Sequence, residues 1–287
     1  LAARGIGSLA VDLRGHGQSP LGPPAEFGPR QLAADVRAAL VRAGLLGPAG
    51  ATSTRSSEAP RLLMVGHSMG GRVALRYAAD YPGDLAALVV SDVDCVPRPC
   101  EDLTAEEIEL RKDFVQDFES WEACRAALLR CGYRRRWVEG WAEENPPRVR
   151  RLPAGGAWSN VNPHATYLAH QEVLGTSDGI DALRAISPAL PARLFVAGPR
   201  WTVCSWNAVP GGVRHMQTLL PQLEVIEFPG HSHSLHNATP GGFADAIAGL
   251  VVDCARPRAA AEEGAFATAR SPRPTEHGAE ALLKAEK

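Results

Sequence analysis

The sequence predicts an α/β fold, in which a mostly parallel sheet carries helices on both faces and a helical cap is inserted between two strands. Apolar, strand-like runs alternate with segments whose apolar residues recur at helical spacing, as expected when a crossover helix follows each parallel strand. The 287 residues are 45% hydrophobic. This is enough apolar material for one sizeable core, so we expect a single α/β domain.

The elements of the core are assigned in chain order from these patterns. Residues 1–100 and 187–255 form the predicted core, 101–186 the predicted cap, and 256–287 a predicted disordered tail without a sustained apolar face. A Gly-, Ser-, Thr- and Pro-rich stretch, 47–60, is predicted to be a flexible insertion. The predicted strands are 6–13, 62–66, 85–93, 193–198 and 223–228; the predicted helices are 30–43, 71–81, 213–220 and 242–252 in the core and 105–118, 121–130 and 165–174 in the cap.

A Gly-x-Ser-x-Gly pentapeptide centred on Ser68 lies where the second predicted strand passes into a helix. A serine hydroxyl is a poor nucleophile unless the backbone holds it beside a base, and a strained strand–turn–helix corner does this. We expect Gly66 and Gly70 to remove Cβ atoms that would collide across the turn. The helix that opens at Gly71 is expected to direct its N-terminal dipole toward an anion formed at Ser68.

A second motif lies upstream, where an apolar run leads into Asp12-Leu13-Arg14-Gly15-His16-Gly17-Gln18-Ser19. With the Ser68 pentapeptide downstream, this order of motifs resembles the α/β-hydrolase family. The resemblance implies that Ser68 is the nucleophile and that the backbone N–H of Met69 donates to the oxyanion. Asp12, Arg14 and His16 are expected to fix loops and to have no catalytic role.

The same resemblance implies further strands before residue 1. Complete family members carry there two or three strands and a His-Gly loop that supplies the second oxyanion donor, and residues 1–67 contain no match to that loop. The sequence is therefore interpreted as lacking the N-terminal strands. The alternative is a trimmed variant in which 6–13 pairs directly with 62–66. Loss of one oxyanion donor would cost on the order of 10²–10³ in rate.

Three histidines lie between the last predicted strand and the last predicted helix: His231, His233 and His236. The family places its general base here, and its usual spacing to the following proline and helix favours His233, then His231, with His236 lining the pocket or structural. The triplet is also similar to the zinc-binding His-x-His-x-Asp-His of metallo-β-lactamase-type hydrolases. Leu235 replaces that Asp, and zinc would leave the Ser68 motif unexplained, so no metal or cofactor is predicted.

A catalytic triad also needs an acid that orients the base. The usual family position follows the strand at 193–198, yet 199–223 contains neither Asp nor Glu. Some family members place the acid after the strand that follows the elbow helix, where this chain has Asp92 and Asp94. Asp92 aligns better, Asp94 remains a candidate, and a purely structural role for Asp92 at the strand end is the alternative.

Composition excludes several classes of partner. The net charge of −2 favours neither nucleic acid nor an anionic membrane surface, and no apolar run approaches the ~20 residues that span a bilayer. The cysteines form no Cys-x-x-Cys pair, which favours reduced thiols and a soluble intracellular protein. They are Cys95, Cys100, Cys124, Cys131, Cys204 and Cys254. Oligomeric state and targeting are not predicted.

The resemblance therefore implies a serine hydrolase that transfers the acyl group of an ester-like small molecule, a carboxylic ester or thioester, through Ser68, His233 and Asp92. The vacant acid position after 193–198 and the missing N-terminal loop support an alternative, in which an impaired hydrolase fold serves as a binding module. A metal-dependent hydrolase that uses His231, His233 and His236 is the less favoured third interpretation.

Overall fold

The computed structural model describes residues 1–47, 62–99, 103–143, 148–153, 155–200, 202–207 and 209–255. The predicted flexible insertion from residue 48 onward and the predicted tail, 256–287, lie outside the described residues. The strands are β1 (Leu62–His67), β2 (Leu85–Ser91), β3 (Asp117–Phe118), β4 (Val149–Arg151), β5 (Ala157–Ser159), β6 (Ala192–Ala197) and β7 (Leu223–Phe228). The helices are α1 (Pro29–Arg42), α2 (Met69–Asp80), α3 (Ala105–Lys112), α4 (Trp121–Arg130), α5 (Arg135–Glu143), α6 (Pro163–Leu168), α7 (Asp178–Ala185), α8 (Val213–Leu219), α9 (Leu235–Ala238) and α10 (Pro240–Ala255).

The main sheet is parallel and has the order β1-β2-β6-β7. Strand β2 is buried on both faces, and its side chains alternate between two apolar clusters. Leu88 and Val90 face the cluster that includes residues of α1, α2, α7 and α8, whereas Ala87 and Val89 face the cluster closed by α10. Helices on both faces of a parallel sheet confirm the predicted fold class.

The predicted strand at 6–13 is wrong. These residues are in no regular secondary structure, are mostly exposed, and pair with no strand in the described part of the chain. A strand is stable only when a neighbour satisfies its backbone N–H and C=O groups, and apolar periodicity does not provide that neighbour. Among the described residues β1 pairs with β2 alone, so the direct pairing of 6–13 with β1 is not observed either.

The inserted segment contains a small antiparallel sheet, order β3-β5-β4, which packs with α4 and α5 around a separate apolar cluster. The helix predicted over 105–118 ends at Lys112, and its last predicted residues instead form β3, where Phe118 pairs with Ala157. The helix predicted over 165–174 begins at Pro163 after the Asn162 cap and continues as a π-helix over Ala169–Leu174.

Helix α7 lies in the segment assigned to the cap, but it packs on α2 of the core. Ile180 and Leu183 belong to the main apolar cluster. The guanidinium of Arg76 on α2 donates to both carboxylate oxygens of Asp178 over 2.7 and 3.0 Å. In the described part of the chain, every helix is too short or too polar to cross a bilayer.

The first turn of α2 passes very close to β2. A Cβ atom on Gly71 would lie 2.5 Å from Val93 Cγ1 and 2.9 Å from Val90 Cγ1, whereas a Cβ atom on Gly70 would meet no described atom within 4 Å. Gly71→Ala is therefore expected to lower the free energy of unfolding by about 1–3 kcal/mol through overpacking. Gly70→Ala is the matched control and should leave stability unchanged or raise it by up to ~1 kcal/mol.

Urea unfolding followed by circular dichroism measures both changes. Equal stabilities of the two variants would contradict the close approach of α2 to β2.

Candidate active site

Ser68 occupies the corner between β1 and α2. Its backbone has φ 53° and ψ −125°, which is a strained conformation for a residue with a side chain. A Cβ atom on Gly66 would lie 2.3 Å from the Gly70 carbonyl oxygen and 2.8 Å from Ala74 Cβ, so Gly66 is required as expected. The same expectation for Gly70 is wrong, because space is open there and Gly71 is the second constrained position.

Asp92 follows the last residue of β2 and is also strained, with φ 45°. In the described part of the chain, Ser68 and Asp92 are the two residues other than glycine with positive φ. Such conformations cost of order 1–3 kcal/mol and persist where the surroundings hold them. Here the backbone N–H of Ser68 donates to Ser91 O over 3.0 Å, and that of Asp92 donates to Phe195 O over 2.7 Å.

The carboxylate of Asp92 is fully buried and accepts hydrogen bonds on both oxygens. Oδ1 accepts from the backbone N–H of Ala197 at 2.8 Å and from the hydroxyl of Thr202 at 2.6 Å. Oδ2 accepts from Nδ1 of His233 at 2.7 Å and from the backbone N–H of Val203 at 3.2 Å. Burial raises the pKa of the carboxyl, but these hydrogen bonds outweigh it and hold the pKa below its usual value. Asp92 is therefore ionised at neutral pH.

This contact fixes the tautomer of His233. An ionised carboxylate only accepts hydrogen bonds, so Nδ1 of His233 carries the proton and, in the neutral ring, Nε2 has a free lone pair. The backbone carbonyl of His233 accepts from Nε2 of His67 at 3.0 Å. Among the described residues, hydrogen bonds join His233 to Asp92, to His67 and to Leu235, whose backbone N–H donates to the same carbonyl oxygen at 3.0 Å. None joins the Ser68 hydroxyl to His233.

The other sequence candidates have different surroundings. Asp94 is buried and ion-paired with Arg98, with 2.7 Å from Nη2 of Arg98 to Oδ2 of Asp94, and Val96 N and Ser205 N also donate to it. The backbone carbonyl of His231 accepts a hydrogen bond from the backbone N–H of Gly198. His236 is exposed, with its ring centroid 4.8 Å from that of His67. No set of three or more His, Cys, Asp or Glu in the described residues is arranged to hold a metal ion.

The upstream motif forms a turn that has the expected structural role. Arg14 donates to both carboxylate oxygens of Asp35 on α1, over 2.7 and 3.1 Å. Asp12 accepts from the backbone N–H of Gln18 at 3.1 Å, and the His16 ring contacts the Arg14 carbonyl oxygen at 3.0 Å. The turn therefore ties the preceding segment, residues 6–13, to α1.

Two residues of the site were not found from the sequence. Thr202 lies in the stretch without Asp or Glu after β6, and its hydroxyl reaches Asp92 across 110 positions of sequence. His67 is the variable residue before Ser68 in the pentapeptide. Burial, together with the positive charges of protonated His233 and His236, lowers the pKa of the His67 imidazole to about 4. No local sequence signal marks either contact.

The low pKa of His67 makes stability depend on pH. Because this pKa, about 4, lies below the value of 6.5 expected in the unfolded chain, the unfolded state takes up the proton first as pH falls. Wild type is therefore expected to lose stability relative to His67→Gln at low pH. The difference between their free energies of unfolding should shift by roughly 2–3 kcal/mol against wild type as the pH falls through that interval. Urea unfolding at several pH values measures it, and a pH-independent difference would contradict the buried neutral state.

Comparison with known proteins agrees with this architecture. No curated protein matches the sequence. Among solved structures, E-2-(acetamidomethylene)succinate hydrolase is 23% identical with a TM-score of 0.53, covering 84% of this chain and 80% of that one. A marine microorganism esterase is 17% identical with a TM-score of 0.53, covering 83% and 82%. The peroxisomal α/β-hydrolase Lpx1 of Saccharomyces cerevisiae is 15% identical with a TM-score of 0.55, covering 89% and 73%.

At these identities, the solved structures establish the fold alone. The sequence itself gives further evidence, because the model of the alpha/beta hydrolase family matches residues 1–246. The chain belongs to the alpha/beta hydrolase family.

Proposed function

We propose that this protein is a serine hydrolase that cleaves an ester-like bond, a carboxylic ester or thioester, in a small-molecule substrate. Ser68 is the nucleophile, His233 the general base and Asp92 the acid. The observation that carries the proposal is the 2.7 Å hydrogen bond between Nδ1 of His233 and Oδ2 of Asp92. Because this hydrogen bond uses Nδ1, Nε2 of His233 is the nitrogen left to act as the base. Asp92 follows β2, which pairs with β1, and β1 ends directly before Ser68.

The reaction proceeds in two acyl-transfer steps. Nε2 of His233 accepts the Ser68 hydroxyl proton as Oγ attacks the substrate carbonyl, and the resulting imidazolium returns that proton to the leaving group. Water then attacks the acyl-enzyme with His233 again as base, which releases the acid and restores Ser68. The ionised carboxylate of Asp92 stabilises the imidazolium in both steps.

The oxyanion forms next to the start of α2. Met69 is the first residue of that helix. First-turn N–H groups have no acceptor within a helix and carry the positive end of its dipole. The Met69 N–H therefore suits an oxyanion on a carbonyl carbon bonded to Ser68 Oγ, which is the role proposed for it.

The nucleophile is tested by covalent labelling. A fluorophosphonate should add one phosphonyl group to the folded protein, detected by intact mass, and Ser68→Ala should not be labelled because it lacks the activated oxygen. Circular dichroism of both proteins checks folding. Absence of labelling in the folded wild type would overturn the proposal and favour a binding module.

The acid is tested by the matched pair Asp92→Asn and Asp94→Asn. Asn at position 92 cannot hold the imidazole in the required tautomer, so the labelling rate constant is expected to fall by roughly 10⁴. Asp94→Asn weakens the contact with Arg98 and should lower the free energy of unfolding by about 1–3 kcal/mol, with little effect on the labelling rate. The reverse result would make Asp94 the acid.

A further inference from the structure

His67 directly precedes the proposed nucleophile, yet the acyl-transfer steps assign it no proton transfer. It is the last residue of β1, so its backbone is held in the sheet beside Ser91 of β2. Its side chain reaches the loop after β7, where Nε2 lies 3.0 Å from the His233 carbonyl oxygen. The His67 and His233 ring centroids are 4.5 Å apart.

The chemistry of this contact fixes the state of His67. A carbonyl oxygen only accepts hydrogen bonds, so Nε2 of His67 must carry the proton. The groups that influence its charge are His233, His236 and Asp92, and the half-buried ring is neutral near pH 7. A neutral ring adds no positive charge 4.5 Å from His233, which must itself become positive during the reaction.

His233 is therefore fixed at two points. Asp92 holds its imidazole through Nδ1, and His67 holds its backbone carbonyl, which also accepts from the backbone N–H of Leu235 within the same loop at 3.0 Å. His67, which donates this hydrogen bond, directly precedes Ser68 in the chain. The contact therefore ties the position of the proposed base to that of the proposed nucleophile. Without it, the segment carrying His233 would keep the contacts with Asp92 and Leu235 but lose this hydrogen bond to the residue next to Ser68.

We propose that His67 is a positioning residue that holds the backbone of His233 in register with Ser68. This role rests on the proposed function, because it acts through the base of that reaction. It requires an N–H donor at the place of Nε2 and does not require an imidazole. Glutamine offers such a donor at similar reach, whereas leucine fills similar space with none.

The test compares wild type, His67→Gln and His67→Leu in fluorophosphonate labelling over a range of probe concentrations. For His67→Leu we expect the saturating rate constant to fall roughly 10-fold to 100-fold, since misplacement of reacting groups by about 1 Å has effects of this size. The half-saturating probe concentration and the final labelled fraction should stay at wild-type values. His67→Gln should restore most of the rate.

The same variants are examined by proton NMR for the His233 Nδ1–H resonance, which we expect to persist in His67→Gln and to broaden in His67→Leu. A leucine variant with a lower labelled fraction at an unchanged rate constant would indicate partial misfolding and overturn the positioning role. So would a wild-type rate in His67→Leu, or a glutamine variant as slow as the leucine one. A folded wild type that does not label would instead overturn the proposed function, and the positioning role with it.

Discussion

The carboxylate of Asp92 is fully buried, and a buried charge is tolerated only when hydrogen bonds replace its water. Its donors come from three separate places: the end of β6 at Ala197, the following loop at Thr202 and Val203, and the loop after β7 at His233. Satisfying this one charge therefore brings the carboxyl ends of three adjacent strands together. The rest of the candidate site depends on that arrangement.

The loop after β6, where the family usually carries the triad acid, contributes hydrogen-bond donors in this chain. The residues between β6 and β7 include neither Asp nor Glu, but Thr202 supplies a hydroxyl and Val203 a backbone N–H to the carboxylate of Asp92, which follows the neighbouring strand β2. Asp94 strengthens the same junction, because it accepts from Ser205 N while Arg98 donates to Val203 O. The carboxylate of Asp92 thus follows one strand, and the donors from this loop follow another.

Local signals predicted much of this structure. The runs at 62–66, 85–93, 193–198 and 223–228 became β1, β2, β6 and β7 with small changes at their ends, because continuous apolar runs are typical of buried parallel strands. The segment at 6–13 has a similar apolar pattern but pairs with no strand among the described residues, and pairing is not encoded in one segment. The contact between Asp92 and His233 spans 141 positions of sequence. Motif order and family resemblance predicted both residues as candidates, with Asp94 and His231 as alternatives, whereas the contacts of Thr202 and His67 became visible only in the structure.

The backbone bonds at Ser68 and Asp92 have a dynamic consequence. Both amides donate to residues of the neighbouring strand, Ser68 to Ser91 and Asp92 to Phe195, and so extend the ladders of the central sheet by one step. Amides in such ladders exchange with solvent only through large openings, whose free energy approaches that of global unfolding. The two strained residues are therefore unable to relax through local fraying. Their unfavourable conformations last as long as the sheet itself stays closed.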